Sequence, residues 1–351
     1  MSDTEEYASS MTTPPRTPVP TFRSETGLEL HVHPLMKDQP APDYVLSNCQ
    51  GRKRALLIGI NYFDTPNELK GCLNDVQNIK EFLIELYGFK EEDMRILTDD
   101  QTDDPLRMPT KVNILTSMQW LVEDAEENDS FFLHFSGHGG RVRDTSGDEY
   151  DGFDETIYPV DFDRYDEDSG QIIDDDMHDL LVRPLPAGAR LTAIFDSCHS
   201  GTALDLPYIY STQGEIKDHN LFKFASRRIL HAGFAYATGD KENAKMFISE
   251  LPSQLKEAST VARENRRTNS SRADVVMFSG CKDHQTSADA QDGEVATGAM
   301  SYAFTTTLRE NPDQSYQELL VRLREILSEK YSQRPQMSSS HPIDVSLQFI
   351  C

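Results

Sequence analysis

The sequence predicts an α/β fold in which a mostly parallel central sheet is covered by helices on both faces. Apolar β-type runs alternate with stretches of helical periodicity along most of the chain, and parallel strands need crossover helices of this kind. Two of the runs also end in residues able to do chemistry. Ala193–Gly201 reads A-I-F-D-S-C-H-S-G, and Phe132–Gly140 reads F-L-H-F-S-G-H-G-G. Ligands of parallel sheets bind outside the carboxyl ends of the strands, so Cys198 and His138, each just past such an end, are placed to meet there.

The alternation begins at Arg54 with R-A-L-L-I-G-I, a buried strand. A helix follows over Leu73–Leu86, with Leu73, Val76, Ile79, Phe82 and Leu83 at helical spacing. Met94–Thr98 reads as a strand and Lys111–Glu126 as a helix, with Ile114, Leu115, Met118, Leu121 and Val122 inward. Ser130–Phe135 is a strand, Asp175–Val182 a helix and Arg190–Phe195 a strand. A second block over residues 273–351 supplies a strand at A-D-V-V-M-F-S-G, helices at Met300–Arg309 and Tyr316–Lys330, and a last strand at V-S-L-Q-F-I. Residues 51–238 and 273–351 therefore form a large and a small region of one domain, completing one sheet.

The remaining segments are polar. Residues 1–50 carry T-T-P-P-R-T-P-V-P and few clustered apolar side chains, which predicts an extended or disordered arm. Residues 239–272 are weakly periodic and rich in Lys and Arg, and a connection of that length inside a domain is functional or disordered.

Composition narrows the function. The 351 residues carry a formal net charge of −25, which excludes binding to phosphate backbones and anionic membranes and favours cationic peptides and metal ions. The five cysteines are odd in number and contain no C-x-x-C, so neither a disulfide framework nor a zinc knuckle is indicated. The acidic amino terminus has no apolar leader, and no run reaches the roughly 18 apolar residues of a membrane helix. The expectation is a soluble cytosolic protein, with the nucleus as a second compartment.

A free thiol has a pKa of about 8.5 and needs a base to become the attacking thiolate. His138 is the candidate base for Cys198. The glycines around it, Gly137, Gly139 and Gly140, allow close backbone approach, and the N–H groups of Gly139 and Cys198 are the expected oxyanion donors. Other chemistries fail on spacing: a C-x5-R phosphatase loop needs arginine where Leu204 stands, and a G-x-S-x-G elbow needs glycine where His134 stands. A carboxylate two residues before the nucleophile, Asp196, suits a substrate with a basic side chain.

Taken in order, R-K-R-A-L-L-I-G-I-N-Y, L-K-G-C-L-N-D-V, H-F-S-G-H-G-G, Y-P-V-D-F, I-I-D-D-D-M-H, F-D-S-C-H-S-G and S-S-S-H-P-I-D-V make the chain from about Gly51 to Cys351 resemble the type I metacaspases of fungal type. That resemblance implies a caspase-like α/β fold, a His138 and Cys198 dyad, cleavage of protein substrates after arginine or lysine, and a monomer. It also implies that Cys72, Asp75, Ser136 and Asp196 line the pocket for the basic residue. Alone, Asp75 reads more simply as a helix cap.

Between Asp144 and Asp179 stand fifteen Asp or Glu residues and one Arg. Hard oxygen donors at this density suit Ca²⁺, which takes about six to eight of them. The EF-hand spacing is absent, so a site would be assembled from separate loops. The resemblance implies Asp154, Asp174, Asp175 and Asp205 as ligands, with calcium gating catalysis. A protease of this specificity would cut its own basic linker, for which Lys256 and the pair Arg266 and Arg267 are the expected sites. The rival readings are a non-proteolytic scaffold or aggregate-binding protein of protein quality control, suggested by the Pro-rich arm, and a zinc module on Cys198, His199 and His138, which lacks a fourth ligand.

Overall fold

The computed structural model describes residues 21–23, 29–31, 44–145, 152–197, 201–210, 216–217, 268–281, 290–292, 295–330 and 333–351. In chain order, β1 (Thr21–Arg23) pairs antiparallel with β2 (Glu29–His31). The domain follows with β3 (Lys53–Gly59), α1 (Cys72–Tyr87), β4 (Met94–Thr98), α2 (Lys111–Val122) and β5 (Ser130–Ser136). Next come β6 (Gly139–Arg143), β7 (Phe153–Ile157), β8 (Ile172–Ile173), α3 (Asp174–Leu181), β9 (Arg190–Asp196), β10 (Tyr208–Tyr210) and β11 (Ile216–Lys217). The last part holds β12 (Asp274–Cys281), β13 (Ala290–Asp292), β14 (Val295–Thr297), α4 (Ala299–Glu310), α5 (Tyr316–Lys330) and β15 (Arg334–Ser339).

The central sheet has eight strands in the order β11-β10-β15-β12-β9-β5-β3-β4. Its four pairings from β12 through β9, β5 and β3 to β4 are parallel, and the three that add β15, β10 and β11 are antiparallel. The inner strands are buried on both faces, as their unbroken apolar runs require. Alternate residues of each strand feed two cores: Leu57, Phe132, Ile194 and Phe278 pack with α1, α4 and α5, while Leu56, Leu133, Ala193 and Met277 pack with α2 and α3. Strands from the earlier and later parts of the chain thus share one sheet, joined where β9 pairs with β12.

That joint contains a buried ion pair. Arg190 and Asp274 are opposite one another in the register, and the Arg190 guanidinium donates to Asp274 Oδ2 at 3.0 Å with both side chains nearly inaccessible. The guanidinium also donates to Thr192 Oγ1 at 3.0 Å and lies over the rings of Tyr316 and Phe349. Burial alone would raise the Asp274 carboxyl, but the Arg190 charge and His341 outweigh it and hold it down to about 2. The backbone N–H of Ser47 donates to the same carboxylate at 3.3 Å, and Val45 N–H donates to the Arg272 carbonyl. The stretch assigned to the arm therefore ends in a packed segment, residues 44–50, with Cys49 buried. Asn269, at the described end of the linker, is buried as well.

Most predicted elements are present within two residues of their expected ends. Two are not. The second helix stops at Val122 rather than Glu126, because the chain turns through Glu123 and the positive-φ residues Asp124 and Asn128. The terminal V-S-L-Q-F-I is not a strand: only Gln348 makes a bridge, to Ser315. Its carbonyls at Leu347 and Val345 instead accept the N–H groups of Tyr316 and Gln317, two of the donors a helix start leaves without intrahelical partners. Ser315 and Glu318 complete that helix start as a capping box, Ser315 N–H to Glu318 Oε2 at 2.8 Å and Glu318 N–H to Ser315 Oγ at 3.2 Å. The last strand is β15, which pairs with both β12 and β10 and carries Pro335 opposite Gly280.

Removing one partner of a buried pair strands the other charge. Asp274→Ala should therefore cost about 3 to 5 kcal/mol of stability. Urea unfolding followed by circular dichroism reads this directly; a loss below about 1 kcal/mol, the scale of an exposed pair, would contradict it.

Candidate active site

The carboxyl ends of β5 and β9 are adjacent, and Ser136 stands opposite Asp196 in the parallel register. His138 and Cys198 each follow that rung by two residues. His138 is described; Cys198 lies outside the described residues, as do His199 and Ser200. Ser197 and Gly201 are described on either side, both buried.

His138 is fixed on three sides. Its backbone N–H donates to Tyr62 Oη at 2.9 Å, and the Tyr62 ring lies against the imidazole with centroids 4.6 Å apart. Tyr62 Oη in turn donates to the Tyr158 carbonyl at 2.7 Å, while Tyr158 N–H donates back to the His138 carbonyl at 3.1 Å. Burial pushes the Tyr62 phenol well above its ordinary value, so it keeps the proton this relay needs. The third contact joins His138 Nε2 to the Asn67 carbonyl at 2.7 Å. A carbonyl only accepts, so Nε2 carries a proton in this contact and Nδ1 is the ring's other nitrogen, open to a second partner.

The support under Tyr62 reaches across the sheet. Tyr62 has φ of +52°, a costly conformation for a residue with a Cβ, and Asp99 at the end of β4 holds it. The Asp99 carboxylate accepts the N–H groups of Asn61 at 3.0 Å and Tyr62 at 2.7 Å. Burial still lifts the Asp99 carboxyl above its usual range, against those bonds. Gly137 is required for the close approach, since a Cβ there would stand 3.0 Å from Tyr62 Oη and 2.9 Å from the Phe135 ring.

The sequence reading did not assign roles to Tyr62, Asn67 and Asp99. Tyr62 lay within a quoted motif, and a base needs a third group to orient it, which is the signal that could have prompted a search. A backbone carbonyl such as that of Asn67 leaves no residue-type signature.

Gly139 begins β6, opposite Ile157 of β7. The bond from Tyr158 N–H to the His138 carbonyl flanks this rung, which makes it a non-hydrogen-bonded pair. The Gly139 N–H therefore points away from β7.

Of the four residues expected to line a pocket, Ser136, Asp75 and Asp196 converge. Ser136 Oγ donates to Asp75 Oδ2 at 2.7 Å, and Asp75 is wholly buried in the first turn of α1. Its other oxygen accepts the N–H of Gly298 at 2.7 Å, and Asp196 Oδ2 accepts the N–H of Ser301 at 2.8 Å. Both carboxylates thus cap α4 rather than their own elements. Cys72 is one turn before Asp75 on α1, buried, with its N–H on Asn61 Oδ1 at 3.1 Å.

The four carboxylates expected to hold calcium lie around α3. Asp174 and Asp175 open that helix, and Asp174 accepts the N–H of Glu155, the residue after Asp154 on β7. Asp205, at φ of +44°, accepts from Asn269 Nδ2, and the neighbouring Leu204 carbonyl is 2.9 Å from His178 Nδ1 of α3. Their hard oxygens suit calcium, yet among the described residues no three His, Cys, Asp or Glu side chains form a group that could hold a metal ion. Asp174 and Asp175 also place negative charge at the positive end of α3. The expected processing sites Lys256, Arg266 and Arg267 lie outside the described residues.

Residues 53–207 match the model of the metacaspase, peptidase C14 domain. Metacaspase-1 of Eremothecium gossypii is 54% identical over 88% of the chain and 68% of its own length. Metacaspase-1A of Neurospora crassa is 52% identical over 93% of the chain and 73% of its own length. A crystal structure of a Geobacter sulfurreducens protein, 21% identical, covers 86% of the chain and 98% of its own with a TM-score of 0.51, a likeness of fold. With the matched region running from β3 past the carboxyl end of β9, and relatives aligned over both halves of the sheet, the chain belongs to the metacaspase family of cysteine-type peptidases.

Proposed function

We propose that this protein is an endopeptidase that cleaves after arginine or lysine, is activated by calcium and processes its own linker. The observation that carries the specificity is the convergence of Asp75 and Asp196 at the strand ends beside His138. Two carboxylates brought together in a partly dehydrated site repel one another, and a guest cation relieves that repulsion. A pocket built for aspartate would carry arginine instead.

In this reading the neutral His138 ring, with Nε2–H committed to Asn67, takes the thiol proton of Cys198 at Nδ1. The thiolate attacks the scissile carbonyl, and the N–H groups of Gly139 and Cys198 receive the oxyanion. His138 then returns its proton to the leaving amine. Water, deprotonated by the same nitrogen, hydrolyses the thioester and restores the thiol. Calcium is proposed as an activator on the chemistry of Asp154, Asp174, Asp175 and Asp205, and no catalytic step runs through it.

Cys198→Ala and His138→Ala should each lower turnover of a fluorogenic arginyl peptide by at least about 100-fold, with thermal unfolding unchanged. Activity retained in Cys198→Ala would remove the nucleophile from this account. Asp196→Ala should raise KM for arginyl peptides by about 10-fold or more, and near-normal cleavage would reject the pocket. The calcium and processing parts share a test. Mass spectrometry of calcium-treated protein should find a cut between residues 239 and 272 in wild type and none in Cys198→Ala alone, while Asp205→Ala should need more calcium. An intact wild-type linker, or an unshifted titration, would reject the corresponding part.

A further inference from the structure

The carboxylates at the strand ends are held from far along the chain. Gly298 N–H reaches Asp75 Oδ1 and Ser301 N–H reaches Asp196 Oδ2, so the amino end of α4 grips both. The positive end of a helix and its unpaired N–H groups suit that task. Gly298 has no room for a side chain: a Cβ would stand 2.5 Å from Asp75 Oδ2 and closer still to Asp196 Oδ2. Ser301 is itself anchored, its hydroxyl 2.9 Å from Nε2 of His134. His134 is fully buried on β5, on the same strand face as Ser136, and burial lowers its imidazole to about 3, so it stays neutral and the serine contact introduces no charge.

We propose that Gly298, Ser301 and His134 are positioning residues that fix the two pocket carboxylates and thereby set the preference for arginine over lysine. This rests on the pocket reading above. A guanidinium is a planar fork that needs acceptors in a set orientation, whereas an ammonium is a compact point charge on a flexible stem. An ionised carboxylate has about four acceptor sites, so one steadied by backbone donors can still receive such a fork. Loosening Asp196 therefore penalises arginine more than lysine. The residues act through the carboxylates, so the loss falls on KM rather than on the thiol chemistry.

The test measures kcat and KM on matched arginyl and lysyl peptides for wild type, Ser301→Ala, Ser301→Thr and Gly298→Ala, with Asp75→Ala and Asp196→Ala alongside. Ser301→Ala should raise KM for arginine by about 5-fold, with a smaller rise for lysine and kcat near wild type. Ser301→Thr, which keeps the hydroxyl, should restore the arginine preference. Gly298→Ala should act in the same direction and more strongly; should it fail to fold, Ser301→Ala carries the test. Alkylation of Cys198 by iodoacetamide should proceed at the wild-type rate in Ser301→Ala, separating pocket from dyad. If Asp75→Ala and Asp196→Ala both leave KM unchanged, the pocket reading falls and this proposal with it. If they raise KM while folded Ser301→Ala retains the wild-type KM and arginine preference, the pocket stands and the positioning role is overturned.

Discussion

The buried pair of Arg190 and Asp274 is the constraint on which the rest of the structure depends. It sits on one rung of the parallel pairing between β9 and β12, where residues 84 apart in sequence meet. Charges so fully removed from water add little net stability, because desolvation cancels most of their attraction. What they enforce is a single alignment. Any other register of β12 on β9 would leave a guanidinium and a carboxylate apart in an apolar interior. The same pair gathers Ser47, His341, Tyr316 and Phe349, so the start of the packed chain, its end and the α5 helix all refer to one point.

Once that register holds, the chemistry of the strand ends follows from geometry. β5 and β9 place Ser136 beside Asp196, and β12 carries the chain toward α4, whose first turn closes over both Asp196 and Asp75. The large region supplies the carboxylates and the Ser136 hydroxyl on Asp75, and the small region supplies the backbone donors that hold both carboxylates. Neither region alone presents that arrangement.

The parallel strands were legible because each is an apolar run buried on both faces, and His138 and Cys198 were legible because each stands just beyond such a run. The strand β15 was not, since Arg334–Ser339 contains a proline and mostly polar residues and owes its conformation to the neighbours β12 and β10. The terminal V-S-L-Q-F-I misled for the opposite reason: its alternation fits a strand, but its carbonyls are used at the start of α5. In the site, Asp75 and Asp196 could be named from the motifs, whereas their partner helix could not. Gly298 and Ser301 act through backbone N–H groups, and Asn67 through a carbonyl, which every residue type possesses. Asp99 belongs to the far edge of the sheet and meets Tyr62 only once β4 has paired.

The rung of Ser136 and Asp196 also divides the molecule into parts that differ in their tolerance of length variation. His138 and Cys198 are each separated from it by a single residue, Gly137 or Ser197, at which the chain bends out of its strand. One inserted residue in either spacer would lengthen the link between a reactive group and its strand while every strand stayed paired. The β6–β7 hairpin is different, because a bond from Asp144 N–H to the Gly152 carbonyl at 3.0 Å closes it below its tip. Residues beyond that clasp can be gained or lost without shifting the rung, so natural insertions should accumulate in the hairpin and be purged from the spacers.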